Sequence, residues 1–345
     1  SPNGITRLAE HWEKIKKSRS KIVKVNDGPL THNLVKTKST VRADMTAAEE
    51  AIWYQAYTKF LDEFKPDIVY YYGGRTLDLL IGDEAHARGI PVASYLANGN
   101  YRGTRWCRDV DLIITNSKAT ARLYKKQDGI ESITIGPFVD PATVVATSRD
   151  PKHVVAINPS LAKGAAIVAA AALILEKERP DITFEIVESR GDWNHIYKTV
   201  CSNLGYPKNR PRNILVTPNQ VDMRPVYART KLLLVMSLWW ESLPRVAIEA
   251  SLNGIPIIGT NHAGIREVAV PPSKLVSFGA DLHKAPYNKL PEPHILKSFA
   301  NTITELYDSV DAGQLENLAR NSQKKWDIKK FGRNLGASFN NVIES

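Results

Sequence analysis

The chain has 345 residues, 43% apolar and 24% charged, with a formal net charge of +10 and a pI near 9.4. This is the composition of an ordinary globular protein, long for one domain and sufficient for two that each bury most of their apolar surface. Cys107 and Cys201 stand far apart without nearby Cys or His, which excludes a short-spaced zinc site and a disulfide framework and fits a reducing, cytoplasmic compartment. The positive charge favours phosphates, an anionic membrane surface or nucleic acid as partners, but no nucleic-acid-binding motif accompanies it, so nucleic acid is disfavoured.

The chain opens with "SPNGITRLAEHWEKIKKSRSK", which is polar and helical rather than a basic cap before an apolar core, and so is no signal peptide. A turn and helix of this kind normally follow a strand, so the first half is expected to have its opening strand upstream of Ser1. Within this stretch "KIKKSRSK" (14–21) is dense enough for an interaction face, although a solvated helix face explains it more simply.

Short β-branched runs then alternate with helical stretches, the pattern of parallel sheets built from βαβ units. Strands are expected at "KIVKV" (21–25), "DIVYYYG" (67–73), "PVASYLA" (91–97), "LIITN" (112–116) and "SITIG" (132–136), with helices over 46–64 and 76–89. The polar "DPATVVATSRDPK" (140–152) is expected to be a linker. The alternation restarts with "HVVAINP" (153–159), the Ala-rich "GAAIVAAAALIL" (164–175), "ITFEIVE" (182–188), a helix near 193–204, "NILVT" (213–217), a short helix near 222–229, "KLLLVMS" (231–237) and "GIPIIGT" (254–260). The Ala-rich run falls short of the roughly 20 residues that span a bilayer and is expected to be a buried helix. A last amphipathic helix is expected over 331–344. The fold class is therefore α/β, with two doubly wound parallel sheets, helices on both faces and a cleft between the halves as the expected site. The expected domains are 1–150, 151–325 and a C-terminal helix over 326–345 that crosses back to the first domain.

Between the last two strands lies "WWESLPRVAIEA" (239–250). Pro244 suits the first turn of a helix, Ser242 is placed to cap it, and the helix is expected to start close to 243. Such a start offers the amides of Arg245 and Val246 to a phosphate. Glu249 then stands roughly 9 Å along the helix, about the reach from a nucleotide's terminal phosphate to its ribose. A carboxylate can accept both hydroxyls of a ribose, and Glu241 those of a sugar carried by the diphosphate. Two glutamates at this spacing also occur often by chance.

The surrounding segment "SLWWESLPRVAIEASLNGIPIIGTNHAGIREVA" (237–269) resembles the donor-site signature of the family-4 retaining glycosyltransferases, which have the GT-B fold of two facing Rossmann-like domains. Glu241, Glu249, Ala250, Gly254, Pro256, Gly264 and Glu267 match that pattern. "INPSLAKGAAIVAAAA" (157–172) resembles the family's phosphate-binding turn and helix, with Lys163 at the position of its phosphate lysine. The resemblance implies that Glu249 binds the ribose, that Lys163 with the Arg245 and Val246 amides binds the diphosphate, and that Glu241 contacts the donor sugar. It further implies that the backbone of Thr217, Pro218 and Asn219 meets the base and that the turn from His262 through Gly264 approaches the sugar. Where the family has an arginine five positions before its lysine this chain has Asn158, with Arg190 or Arg224 as substitutes. The family's first-domain histidine is absent, and Asn98 and Asn100 occupy its neighbourhood.

On this resemblance the chain is expected to move a hexose from a UDP-sugar to a glycan or lipid-linked acceptor with retention, without metal or other cofactor. Lys163 and Glu241 would act at the reacting centre, and peripheral contact with an anionic membrane is expected. Gly73, Gly74 and Arg75, in "YYYGGR" (70–75), would line the acceptor side, although packing explains the tyrosines about as well. "DVD" (109–111) resembles a metal-binding Asp-x-Asp but is better explained as capping the strand after it. His262 is as readily an ordinary loop histidine, and Trp239 and Trp240 are as readily edge packing. A nucleotide-sugar epimerase or phosphorylase and a non-catalytic two-lobed sugar-binding protein are the competing readings. A dehydrogenase is disfavoured because no Gly-x-Gly-x-x-Gly follows a predicted strand.

Overall fold

A computed structural model describes residues 11–39, 41–74, 76–205 and 211–345. Most of the opening turn and helix expected before residue 12, and the candidate Arg75, lie outside the described residues. The chain divides into two compact units. One comprises Ser1–Ser94, Arg105–Leu112 and Asn341–Ser345, and the other Tyr95–Thr104 and Ile113–Asn340.

In the first unit, helix α1 (Trp12–Lys17) packs on the strands β1 (Ile22–Asp27) and β2 (Leu30–Val35). "KIVKV" therefore does not enter a parallel sheet as expected. It pairs antiparallel with β2 across Gly28 and Pro29, in register from Ile22↔Val35 to Asp27↔Leu30. The Asp27-Gly28 pair is a hairpin signal, and two residues suffice to reverse an antiparallel pair. Helix α2 (Ala47–Phe64) begins with a capping box between Thr46 and Glu49. Strand β3 (Val69–Tyr71), helix α3 (Thr76–His86) and strand β4 (Val92–Leu96) form a parallel unit in which Val69 faces Val92.

In the second unit, strand β5 (Leu112–Thr115) leads into helix α4 (Lys118–Asp128), and β6 (Ile133–Thr134) pairs in parallel with β5. The expected linker contains a single turn, α5 (Pro141–Val144), capped by Asp140. Beyond it run β7 (His153–Ile157), α6 (Ala165–Glu178), β8 (Phe184–Val187), α7 (Trp193–Ile196), β9 (Ile214–Thr217), α8 (Arg224–Arg229) and β10 (Thr230–Val235). These are followed by α9 (Arg245–Leu252), β11 (Ile257–Thr260), α10 (Ile265–Val268), β12 (Lys274–Val276), α11 (Pro293–Ser309), α12 (Ala312–Lys325) and α13 (Ile328–Ile343). No helix among the described residues is long and apolar enough to cross a membrane.

Strands β7 to β12 form one six-stranded parallel sheet in the order β12-β11-β10-β7-β8-β9. Alternation along each strand divides its side chains between two cores. Val154, Phe184, Ile186, Leu232, Leu234 and Ile258 join α6 and α11 in one cluster, while α9 contacts β10 and β11 from the other face. Nine residues of α6 are buried, and its alanines let neighbouring elements approach closely.

The strand order reverses between β7 and β10, and the crevice at such a switch point is where open α/β sheets bind ligands. The turn from β7 to α6 reaches this crevice through Gly164, whose φ is +75° and whose place for a Cβ lies 2.2 Å from the Met236 carbonyl oxygen. Gly164→Ala is expected to lower stability by about 2 kcal/mol or more, through strain and a backbone clash together. Urea unfolding of the two chains measures this difference.

Candidate active site

Strand β7 delivers the chain to Asn158, which has a left-handed φ of 62°. Asparagine tolerates that conformation better than most residues. Its side-chain oxygen accepts the Gly191 amide at 3.1 Å, so Asn158 ties together the loops after β7 and β8. The short turn Leu161–Lys163 follows, and its Ala162 carbonyl accepts the amides of Leu238 and Trp239 at 2.9 and 3.3 Å. These bonds fix the loop after β10 beside the loop after β7.

The result is a cavity of about 240 Å³ lined by Asn158, Lys163, Ser237, Glu241, Arg245 and Val246 among others. Lys163 and Glu241 form an ion pair, with their side chains 29% and 11% exposed, so the pair is half withdrawn from water yet accessible from the cavity. Ser237 donates to the same carboxylate oxygen at 2.7 Å, and the Lys163 ammonium lies 5.5 Å from the centre of the Trp239 ring.

Helix α9 begins at Arg245, later than the start near 243 that its sequence suggested, because Pro244 has an extended ψ of 113°. Ser242 does not cap it. Its hydroxyl instead bonds to Thr120 at 2.5 Å and donates to Asn116, with Ser117 at 3.4 Å. The first helical bonds run from the Ala247 and Ile248 amides to the Pro244 carbonyl, which leaves the Arg245 and Val246 amides ahead of the ladder.

Glu249 stands four residues past Arg245, about 6 Å along the axis rather than 9 Å. It is buried, accepts the Tyr227 hydroxyl at 2.6 Å and pairs with Arg245 at 3.3 Å. Burial first, then the Glu249 charge, pushes the Tyr227 hydroxyl well above its ordinary pKa, so Tyr227 remains a donor.

The turn after β11 closes the same region. The Gly264 amide donates to the Glu241 carbonyl at 2.8 Å, and a Cβ at 264 would sit 1.7 Å from the Ser242 carbonyl oxygen. His262 meets Trp240 edge-on at 5.5 Å between ring centres and lies 4.2 Å from the ring of His283. His283 donates from Nδ1 to the Leu238 carbonyl at 2.8 Å. Burial, then the charges of His283 and Arg266, lowers His262 to about 4.

Other candidates stand apart from the cavity. Thr217, Pro218 and Asn219 end edge strand β9, two strands or about 10 Å from β7, and Thr217 donates to Glu185 at 2.6 Å. Arg224 is engaged with Asp222 at 2.8 Å, and Arg190 is exposed on the loop that Asn158 holds. Gly99, between Asn98 and Asn100, packs on the Trp240 indole, and the Asn98 carbonyl accepts the Tyr124 hydroxyl at 2.7 Å. In the first unit, Gly73 lies against the Asp78 carboxylate, which pairs with Arg42. Asp111, in "DVD", accepts the Val92 amide at 2.8 Å, and Asp109 pairs with Arg108 at 2.6 Å. A larger cavity of about 400 Å³ in that unit includes Asp83, Arg108 and Asp109, whose charges satisfy one another and leave the smaller cavity the stronger candidate.

Several contributors escaped the sequence reading. Glu267, seen there as a signature residue, accepts the Lys118 and Ala119 amides at 3.2 and 2.6 Å and so caps α4. Glu185 is buried between Arg229 and His153, at 2.5 and 2.8 Å, and holds Thr217. Apolar–polar alternation within "ITFEIVE" marks Glu185 as facing opposite to Phe184 and Ile186, but its partners lie 32 to 44 residues away.

Residues 160–277, the segment that holds Lys163, Glu241 and Glu249, match the family model of glycosyl transferases group 1. No curated protein sequence matches the chain. Among solved structures it resembles sucrose-phosphate synthase from Thermosynechococcus elongatus, with a TM-score of 0.69 and 14% identity over 95% of this chain and 87% of that one. It also resembles Anabaena HepE in complex with UDP (TM-score 0.63, 16% identity, 86% of this chain and 83% of that one). A third is the pneumococcal O-GlcNAc transferase GtfA with UDP and GlcNAc (TM-score 0.66, 13% identity, 94% and 70%). These likenesses establish the GT-B fold.

The lowered His262 pKa sets a pH dependence. An unfolded chain binds a proton at His262 near pH 6.5 and the folded chain only near 4, so the unfolded state holds more protons between these values. Stability is therefore expected to fall as pH drops from about 6.5 to 4, and His262→Gln to flatten that part of the curve. Denaturant midpoints of both chains across this range supply the measurement.

Proposed function

We propose that this chain transfers a hexosyl group from a UDP-sugar to a hydroxyl of a glycan or lipid-linked acceptor, with retention at the anomeric carbon. The observation that carries the reading is the gathering of Lys163, Glu241 and the start of α9 around one cavity at the sheet's switch point. The matched family and the UDP-containing neighbours support it. Residues 151–325 would hold the donor, and residues 1–150, with Gly73, Gly74, Arg75, Asn98 and Asn100, the acceptor side.

The ion pair supplies a binding sequence. An arriving diphosphate competes for Lys163, and release of Glu241 frees a carboxylate, still held by Ser237, to accept hydroxyls of the donor sugar. The amides of Arg245 and Val246 meet a phosphate with the positive end of the helix dipole. Glu249 accepts the ribose hydroxyls after exchanging Arg245, while Tyr227 keeps the carboxylate in place. Thr217 to Asn219 meet the base, and the turn from His262 to Gly264 approaches the sugar.

Chemistry then follows the front-face course. The bond from the anomeric carbon to the diphosphate oxygen breaks, the acceptor oxygen bonds the same face, and the acceptor proton passes to the departing phosphate. Lys163 and the helix amides stabilise the negative charge that develops on that phosphate. This reading assigns charge neutralisation to the protein, so transfer is expected to survive exhaustive chelation of metals, as a transfer assay with and without chelator tests.

Lys163→Ala is expected to weaken UDP binding about 10- to 100-fold, the worth of a lost charge-assisted hydrogen bond, and Glu249→Ala to weaken it comparably. Calorimetric titration with UDP, followed by a panel of UDP-sugars scored for hydrolysis and transfer, checks both. Unchanged UDP affinity in both variants would overturn the assignment of the donor site.

A further inference from the structure

Lys163 and Arg245, the two cations that line the cavity, each carry a carboxylate already: Lys163 pairs with Glu241, and Arg245 with Glu249 at 3.3 Å. The two pairs are not equivalent. Glu249 keeps the Tyr227 hydroxyl at 2.6 Å when Arg245, whose side chain is 67% exposed, turns away. Glu241 is held on one side only. Lys163 and Ser237 both donate to its Oε1, and among the described residues nothing donates to its Oε2.

A carboxylate offers about four acceptor positions, and this one is largely withdrawn from water, so it is short of donors even while Lys163 stays. A ligand that draws Lys163 away without bringing donors leaves a negative charge poorly bonded and partly buried, which is costly. An ammonium that bridges both anions does not escape this, because the phosphate then lies against a carboxylate of like charge. A bare nucleoside diphosphate is such a ligand. Its terminal phosphate carries about two negative charges at neutral pH and presents acceptors to the carboxylate. A sugar on that phosphate removes about one charge and supplies hydroxyl donors at the place where Glu241 lacks them.

We propose that Glu241 makes this site prefer a sugar-bearing nucleoside diphosphate to the bare one, by holding Lys163 until a ligand brings hydroxyl donors in exchange. The proposal rests on the donor-site reading above and adds to it a rule of selection. Its consequence is release of the product nucleotide, since transfer carries away the hydroxyls that stabilise the freed carboxylate and lets Glu241 take Lys163 back.

The test is calorimetric titration of the full chain with UDP and with UDP-glucose. Glu241→Gln keeps the shape and an acceptor oxygen but removes the charge. It is expected to bind UDP about ten-fold more tightly than wild type, the low end for a charge-assisted hydrogen bond because Lys163 is partly exposed. UDP-glucose gains less, since a neutral amide is the weaker acceptor for its hydroxyls, and the preference for UDP-glucose over UDP is expected to fall about five-fold. With Lys163→Ala in place, the tightening from Glu241→Gln is expected to shrink at least about three-fold, because no ammonium remains to be released. Circular dichroism confirms that each variant folds, and Glu241→Ala, which also removes the charge, replaces Glu241→Gln if that chain does not.

Three results would each overturn the proposal while leaving the donor-site reading in place. They are a Glu241→Gln chain that binds UDP no more tightly than wild type, an undiminished preference for UDP-glucose, and a tightening that is equally large without Lys163. A wild-type chain that binds neither nucleotide overturns the donor-site reading, and this proposal with it.

Discussion

Everything at the candidate site depends on backbone approaching backbone at the carboxyl ends of β7, β10 and β11. Two contacts admit no side chain: Gly164 against the Met236 carbonyl, and Gly264 against the Ser242 carbonyl. They draw the turns after β7 and β11 onto the loop after β10, and the Ala162 carbonyl and Gly264 amide lock that loop with hydrogen bonds. Lys163 and Glu241, 78 residues apart in the chain, meet as a result.

Electrostatics then give the cavity its direction. Helix α9 presents its amino end to the cavity, while Arg149 lies at its carboxyl end and donates to the carbonyls of Asn253, Gly254 and Thr230. A cation there complements the negative end of the helix dipole. Burial lowers the pKa of Arg149. In the site itself both glutamates are engaged, Glu241 by Lys163 and Ser237, Glu249 by Tyr227 and Arg245. An anionic ligand must therefore exchange partners, because two paired groups cannot be left buried and alone without cost.

Much of this was legible in the residues. Each strand from β7 to β11 lies where a largely apolar run foretold it, because the strands of a parallel sheet are mostly covered on both faces. Lys163, Glu241 and Glu249 were singled out through spacing and resemblance. The β1–β2 hairpin was missed because "KIVKV" carries the same β-branched signal in a hairpin as in a parallel sheet, and only the Asp27-Gly28 turn distinguishes the two. Ser242 was taken for a helix cap because a hydroxyl before proline fits that role locally. In the fold it serves a buried hydroxyl cluster with Asn116, Ser117 and Thr120, more than a hundred residues away.

The sequence by itself determined the periodic elements, the α/β class, the charged amino-terminal stretch and the residue types able to hold a diphosphate, because these follow from side-chain chemistry and local spacing. Only the tertiary structure decided that Lys163 reaches Glu241, that Glu267 caps α4, and that Glu249 is held by Tyr227. Each of these depends on which distant segments pack together. That is set by burial and by backbone clearance over the whole fold, and no window of sequence contains it.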